Sequence, residues 1–194
     1  MKLKEILFAT HNKNKAIEIQ KLLGHEFTVK TLVDVGFNDE IVETETTLKG
    51  NALLKSSVIH KRFSCNVFSD DTGLEVDALN GAPGVFSARY AGLQKSNDDN
   101  MALLLKNISP FTNKNARFKT IISLFWNNKH HFFEGIVEGK IIDKKRGGWG
   151  FGYDPIFIPE GYDLTFAEMS ATEKNKISHR GKAVTKLVDF LSIC

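Results

Sequence analysis

The sequence predicts an α/β protein with a mixed β-sheet flanked by helices. Its first half alternates short apolar runs with segments of helical spacing, which is typical of strand-loop-helix units. In its second half, two longer β-rich runs, 116–126 and 131–142, flank a polar segment around 127–131, a pattern that favours a hairpin and adds antiparallel pairing. No repeat or linker interrupts the 194 residues, so we predict one domain over residues 1–194, with room for two lobes and a buried core.

The remaining elements follow from local spacing. Ile17, Leu22 and Leu23 are spaced like the apolar face of a helix that ends at Gly24, and Ala183, Leu187 and Leu191 recur four residues apart near the end of the chain. Further strands are expected at 5–10 and 27–33, and helices at 14–24, 47–63, 97–108 and 179–193.

Composition excludes several classes of protein. Lys plus Arg number 26 against 23 for Asp plus Glu, and the resulting net charge of +3 is too small for a protein that coats nucleic acid, although a small polyanion remains a suitable ligand. Cys65 and Cys194 lack metal-ligand spacing, so we expect neither a zinc site nor a disulfide. No apolar run is long enough to cross a bilayer or to form a signal peptide, which predicts a soluble cytoplasmic protein without membrane contact.

The segment THNKNK, Thr10 to Lys15, joins the first strand to the first helix. It lacks the glycines of a Walker A loop. A helix N-terminus still presents free N–H groups, and the hydroxyl, amide and ammonium groups of this segment would add contacts to phosphate. An ordinary polar turn with solvated lysines is the alternative.

The segment SDDTG, Ser69 to Gly73, places Asp70 and Asp71 at the expected end of an apolar strand. Carboxylate oxygen suits Mg²⁺, and a carboxylate near a bound metal can take a proton from an attacking water. Glu43, in the acidic loop 38–46, is a candidate second ligand. The alternatives are an Asp-rich turn, with Gly73 supplying its special dihedral angles, and a merely solvated glutamate.

Two later segments combine aromatic or basic residues. Gly147 to Pro155, GGWGFGYDP, interleaves glycines with aromatic residues, which suits either base stacking or a glycine-rich entry into a strand. The segment 173–183 concentrates Lys174, Lys176, His179, Arg180 and Lys182 around a helix start. Charge runs are usually solvated faces, but cations there oppose the helix dipole, which costs free energy unless an anion or an acceptor-rich ligand offsets it.

Together, and in this order, these motifs resemble the inosine triphosphate pyrophosphatase family, the Ham1-like purine nucleoside triphosphate pyrophosphatases. The matching segments are LFATHNKNK, ETETTLKGNALLKS, SDDTGLEVDALNGAPGVFSARYAG, GWGFGYDPIFIP and SATEKNKISHRGKA, which cover nearly the whole chain. The chain departs from the family at His11, at Thr72 and in ETETT, where either Glu43 or Glu45 would reach a metal; the family pattern favours Glu43.

The resemblance implies hydrolysis of a purine nucleoside triphosphate between its α- and β-phosphates, with Mg²⁺ as cofactor and ITP, dITP and XTP as substrates. It implies an elongated mixed sheet, two lobes with a nucleotide-binding cleft between them, and a homodimer. By position, Asp71 would be the general base and a metal ligand, with Glu43 and Asp70 as further metal-site carboxylates. The residues implied for substrate binding are Thr10, His11, Asn12, Lys13, Asn14, Lys15 and Lys55 at the triphosphate, Thr72, and Phe151, Gly152, Tyr153, Asp154, Lys174, His179 and Arg180 around the sugar and base.

Two other functions fit parts of the sequence. A pyrophosphatase of the related Maf type would act on ordinary or modified pyrimidine nucleotides, but the segments GFGYDP and SHRG argue against it. A nucleotide-binding or RNA-binding module without chemistry would use the aromatic and basic segments alone, and it has no need of SDDTG and Glu43.

Overall fold

The computed structural model describes residues 4–193, which form seven strands and five α-helices. The strands are β1 (Lys4–Phe8), β2 (Phe27–Thr31), β3 (Val67–Val76), β4 (Pro83–Gly84), β5 (Asn115–Trp126), β6 (Lys129–Ile141) and β7 (Phe157–Pro159). The helices are α1 (Lys13–Leu23), α2 (Leu48–Phe63), α3 (Asn97–Ile108), α4 (Ala171–Ile177) and α5 (His179–Ser192).

The strands form one mixed sheet in the order β2-β1-β3-β5-β6-β7, with β4 paired to β3. Strand β1 runs parallel to β2, with Ile6 opposite Val29, and parallel to β3. The pairs β3/β4 and β6/β7 are antiparallel. The predicted mixed sheet is therefore confirmed, and the parallel part comes from the strand-loop-helix units of the first half.

The chain divides into two compact units, each with its own apolar core. Within residues 4–193, unit 1 comprises 4–71, 121–134 and 183–193, and unit 2 comprises 72–120 and 135–182. In unit 1 the rings of Phe8 and Phe68 stack at 4.5 Å within a cluster that includes Leu187 of α5. In unit 2 Phe118 and Phe157 pack edge to face at 4.8 Å. The prediction of one domain stays a prediction.

Several local predictions need correction. Ile17 is 56% exposed, and α1 buries Ile19 instead, because Ile19 lies four residues before the buried Leu23. The hairpin turn consists of Asn127 and Asn128 alone, since both adopt positive φ angles, and β6 already begins at the next residue. The short helix α4 was not predicted, although a capping box of Ser170 and Glu173 marks its start.

Two predictions concern cysteines and the membrane. Cys65 is a partly buried free thiol whose pKa is raised by burial, and Cys194 lies outside the described residues. Within residues 4–193, no helix combines the length and the apolar character that a bilayer span requires.

Candidate active site

The loop after β1 is held in place by its own side chains. Asn12 Oδ1 accepts a hydrogen bond from the main-chain N–H of Lys15 at 3.2 Å and thereby caps α1. Thr10 Oγ1 accepts one from the N–H of Asn12 at 3.1 Å, and His11 Nε2 lies 3.0 Å from the carbonyl oxygen of Phe37. The predicted junction of strand, loop and helix is confirmed, and part of its polar set stabilises the loop itself.

The polar residues in the first turn of α1 differ in their exposure to solvent. Lys13 and Asn14 are exposed. Lys15 is partly buried, and its Nζ lies 2.9 Å from Oδ1 of Asp70, whose side chain is 1% exposed. Lys15 is therefore held at one carboxylate, while its neighbours face solvent.

Strand β3 distributes its two carboxylates over both of its faces, because consecutive side chains alternate. Asp70 points toward Lys15 of α1, and Asp71 points toward α2, where Lys55 Nζ lies 3.5 Å from its Oδ1. The predicted strand end at these residues is wrong, and so is the alternative of a turn at Gly73, because β3 continues to Val76 and pairs with β4 beyond the carboxylates.

The ammonium of Lys55 joins Asp71 to a second carboxylate. Its Nζ lies 2.5 Å from Oε1 of Glu43, and its side chain is 12% exposed. Burial lowers the pKa of Lys55, but the attraction of Asp71, Glu43 and Asp70 outweighs this effect, so the pKa lies above its usual value. Burial also raises the pKa of Asp71, and the attraction of Lys55 and Lys15 does not cancel this rise.

The acidic loop brings Glu43, rather than Glu45, to this ammonium. The main-chain N–H of Glu45 donates to Oδ1 of Asn51 at 3.0 Å, and the Glu45 side chain is exposed beside Gly50. Asn51 is fully buried on α2, one turn before Lys55. Asn51 therefore anchors the loop that carries Glu43. The four-residue spacing of Asn51 and Lys55 was the available signal for this role.

One oxygen of Asp71 is available to a ligand. Its Oδ2 is buried and has no hydrogen-bond partner among residues 4–193. A buried carboxylate oxygen without a partner is costly, and water, an ion or a ligand can supply the missing contact. Asp71 thus combines a raised pKa, a neighbouring ammonium and an acceptor that no donor in the described part of the chain occupies.

In unit 2, Asp154 connects the glycine-rich loop to α4. Its Oδ2 accepts hydrogen bonds from Lys174 Nζ at 2.7 Å and from the main-chain N–H of Phe151 at 2.9 Å. Asp154 and Lys174 are both buried, and the Lys174 ammonium lies 5.2 Å from the centre of the Phe151 ring. The structure therefore brings together three of the residues that the sequence assigned to base binding.

His179 and Arg180 begin α5 and are also buried. The His179 ring stacks on Phe118, with centroids 4.6 Å apart and an interplanar angle of 15°. The Arg180 guanidinium lies 5.5 Å from the centre of the Phe151 ring and donates from Nη2 to Thr72 Oγ1 at 3.3 Å. The first two residues of α5 therefore place an imidazole against Phe118 and a guanidinium beside Phe151 and Thr72.

The other residues of the glycine-rich segment support the loop. Gly150 and Gly152 adopt positive φ angles, and a Cβ at Gly150 would overlap the carboxylate of Asp154. Tyr153 is buried in the core of unit 2, where its hydroxyl donates to the carbonyl oxygen of Ser87 at 2.9 Å. Trp149 is 76% exposed. Tyr153 therefore anchors the loop in the core, and Phe151 is the aromatic residue that meets the cations.

Sequence analysis missed two residues of β5. Phe118 supports His179, and Thr120 Oγ1 lies 2.7 Å from Thr72 Oγ1. Alternate residues from Ala116 to Thr120 are buried, and this alternation was the available signal. The pattern identifies an inward face but not what that face contacts.

Comparison with known proteins agrees with these motifs. The family model described as the Ham1 family matches residues 6–190. A dITP/XTP pyrophosphatase of Flavobacterium psychrophilum is 52% identical over 186 residues, which are 96% of this chain and 98% of that protein. A second dITP/XTP pyrophosphatase, of Porphyromonas gingivalis, is 48% identical over 97% of this chain and 98% of that protein.

Solved structures give the same result for the fold. A HAM1 protein from Coxiella burnetii matches with a TM-score of 0.91 and 35% identity, covering 99% of this chain and 100% of that one. The Ham1 protein of Staphylococcus aureus matches with a TM-score of 0.89 and 39% identity, covering 97% of this chain and 98% of that one. Motifs, full-length sequence similarity and fold agree, and the chain belongs to the Ham1 family.

Proposed function

We propose that the protein hydrolyses deaminated purine nucleoside triphosphates, namely ITP, dITP and XTP, to the monophosphate and pyrophosphate, and so cleanses the nucleotide pool. Membership of the Ham1 family, with relatives named dITP/XTP pyrophosphatases, supports this class of hydrolase. The observation that carries the proposal is Asp71, a buried carboxylate beside the Lys55 ammonium, with one oxygen that no donor among residues 4–193 occupies.

Asp71 is the proposed general base. Its raised pKa makes it a better proton acceptor than an ordinary aspartate. As it takes the proton of a water molecule, the water oxygen bonds to the α-phosphorus, and the bond from that phosphorus to the oxygen bridging to the β-phosphate breaks. The electron pair leaves with pyrophosphate. Lys15, Lys55 and the N-terminus of α1 are the proposed groups that neutralise the charge of the triphosphate and the leaving group.

Mg²⁺ is the proposed cofactor, and the residues of unit 1 fit it. Glu43 and Asp71 converge on one ammonium group, a position that already favours positive charge, and Asp70 lies next to Asp71 on β3. No group of three or more His, Cys, Asp or Glu side chains arranged for a metal occurs within residues 4–193. Mg²⁺ is usually held by one or two carboxylates together with water and substrate phosphates, and Glu43 and Asp71 supply that number. Bound there, Mg²⁺ would offset phosphate charge and lower the pKa of water.

The donors of unit 2 are proposed to read the base. Lys174 and Arg180 can only donate hydrogen bonds, and His179 donates from both ring nitrogens when protonated. Hypoxanthine and xanthine present an oxygen acceptor at position 6, whereas adenine presents an amino donor there. Opposed donors would leave buried polar groups unpaired, at a cost of about 1–3 kcal/mol each, so ATP is expected to be a poor substrate.

We also propose a homodimer in the cytoplasm. Both follow from the resemblance to the family and from the proposed action on the cell's nucleotides. Sedimentation of the purified chain at micromolar concentration is expected to give a dimer, and a fully active monomer would contradict it.

A pyrophosphate-release assay tests the activity. ITP, dITP, XTP, GTP, ATP, CTP and UTP are each supplied with and without Mg²⁺. We expect turnover of ITP, dITP and XTP well above GTP, GTP at or above ATP, and activity that depends on the metal. Preferred release from CTP or UTP would indicate a Maf-type enzyme. Retained nucleotide binding without turnover would indicate a binding module.

A further inference from the structure

Strand β5 supports both donor residues at the start of α5. Phe118 and Thr120 lie two residues apart, so they share one face of the strand. Phe118 stacks directly on His179. Thr120 contacts Thr72, and Thr72 contacts Arg180. One strand face therefore reaches His179 by stacking and Arg180 through an intermediate hydroxyl.

Burial decides the direction of the hydrogen bond between the two threonines. Thr120 is 0% exposed, and among residues 4–193 its hydroxyl has Thr72 Oγ1, at 2.7 Å, as its hydrogen-bond partner. A buried hydroxyl that failed to donate would lose a hydrogen bond that no water replaces. Thr120 therefore donates, and Thr72 accepts.

Arg180 fixes the other side of Thr72. A guanidinium has donors and no acceptor, so the 3.3 Å contact from Arg180 Nη2 is a second hydrogen bond that Thr72 Oγ1 accepts. Thr72 Oγ1 therefore lies between the Thr120 hydroxyl and the Arg180 guanidinium, within hydrogen-bond distance of both.

We propose that Thr120 is a positioning residue for base selectivity: it holds Thr72, and Thr72 holds Arg180 in the orientation that reads the 6-oxo group of the purine. This inference rests on the proposed function of unit 2, because it assigns the selectivity of that site to a residue that touches no substrate.

The test is Thr120→Val, which keeps the shape of the side chain and removes its hydroxyl. We expect the ratio of kcat/KM for ITP over ATP to fall about tenfold, mainly through a higher KM for ITP, because the lost orientation affects binding of the base rather than the phosphate chemistry. Thr120→Ser retains the hydroxyl and should restore most of the ratio. Ser123→Ala is the matched control, since it removes another buried hydroxyl of β5 that contacts Ser56 and His130 in unit 1.

A double variant separates the relay from a general packing defect. If Thr120 acts through Thr72, the ITP/ATP ratio of Thr72→Val with Thr120→Val should equal that of Thr72→Val alone. An unchanged ratio in Thr120→Val, an equal loss in Ser123→Ala, or additive losses in the double variant would overturn the proposal.

Two further measurements distinguish a folding defect, a failure of the proposed function and a failure of the proposed role of Thr120. Should Thr120→Val not fold, Thr72→Val alone decides, because an unchanged ITP/ATP ratio in that variant overturns the relay. Wild-type turnover of ITP is the separate measure of the proposed function: its absence rejects the function, whereas normal turnover with unaltered variant ratios rejects only the role of Thr120.

Discussion

The buried ionic clusters of the two units have opposite charge balance. In unit 1 the carboxylates of Glu43, Asp70 and Asp71 outnumber the ammonium groups of Lys15 and Lys55 that contact them. Such a cluster attracts a cation, and it would repel a triphosphate that arrived without one. Among these described contacts, the excess of carboxylates agrees with the Mg²⁺ that we propose as cofactor.

In unit 2 the cations outnumber the carboxylates of the described cluster. Asp154 faces Lys174, while Arg180 and His179 lie close by and Phe151 provides an aromatic face. This arrangement suits a neutral ligand with acceptor atoms and a π-face. Under the proposed function, catalysis depends on the residues of unit 1 and base recognition on those of unit 2, so variants in unit 1 should change catalysis and variants in unit 2 should change selectivity.

The strongest test of this division is Asp71→Asn. The amide has the size of the carboxylate but is no base, so we expect turnover of ITP to fall by about 10²–10⁴-fold, with a further loss from weaker metal binding. The fold should persist, because the substitution removes a charge that burial disfavours. Single-turnover kinetics would measure the loss of turnover, and calorimetric binding of IMP would show that the variant still folds.

Asp77→Asn is the matched control for Asp71→Asn. Asp77 follows β3 in the chain, is exposed and pairs with Arg117 in unit 2. Its substitution should leave turnover unchanged. Turnover of Asp71→Asn within a few-fold of the wild type would remove Asp71 from the catalytic role.

A smaller effect is expected from the lysines of unit 1. Lys15→Ala and Lys55→Ala should weaken binding of ITP more than binding of IMP, because each removes a charge-assisted contact of about 1.5–3 kcal/mol with the outer phosphates. Titration calorimetry with both ligands measures the difference, and Lys61→Ala, an exposed lysine of α2, is the control. Equal losses for ITP and IMP would place both lysines away from the β- and γ-phosphates.

The sequence predicted the fold where one signal dominated. The end of α1 at Gly24 and the apolar spacing of α5 gave elements that the structure confirms. It failed where tertiary pairing overrode local pattern: polar residues suggested an end at Asp71, but β4 extends the strand to Val76. For α1, the four-residue spacing of Ile19 and Leu23 was the local signal that distinguishes Ile19 from Ile17.

The motifs predicted the residues proposed to contact the substrate, but they did not predict the residues that pack behind them. Asp71, Lys174 and Arg180 stand in segments whose residue types match a known family, so the resemblance identified them. Phe118 and Thr120 stand in an ordinary alternating strand, and their contacts with α5 and Thr72 depend on a sheet register that residue types do not encode.

A third test concerns selectivity in unit 2. Arg180→Met keeps the bulk of a buried side chain and removes its donors, so kcat/KM for ITP should fall while that for ATP changes little. Loss of one charged hydrogen bond corresponds to about 1.5–3 kcal/mol, or roughly a 10- to 150-fold fall in the ITP/ATP ratio. Lys182→Met, an exposed position two residues further along α5, is the control. An unchanged ratio would show that Arg180 does not read the base.

The smallest change in selectivity is expected from Phe151→Leu. This variant separates stacking on the ring from base recognition by the hydrogen-bond donors of unit 2. Every purine has a π-face, so loss of the ring should weaken binding of IMP, XMP, GMP and AMP by a similar amount, about 1–3 kcal/mol, and leave their order intact. The Lys174 ammonium also lies over this ring and keeps its 2.7 Å contact with Asp154, so the donors should stay in place. Calorimetry with the four monophosphates measures the pattern, and Trp149→Leu, which changes an exposed ring of the same segment, is the control. If Phe151→Leu changed the order of the four affinities, the ring would orient the donors and stacking would not be separate from base reading.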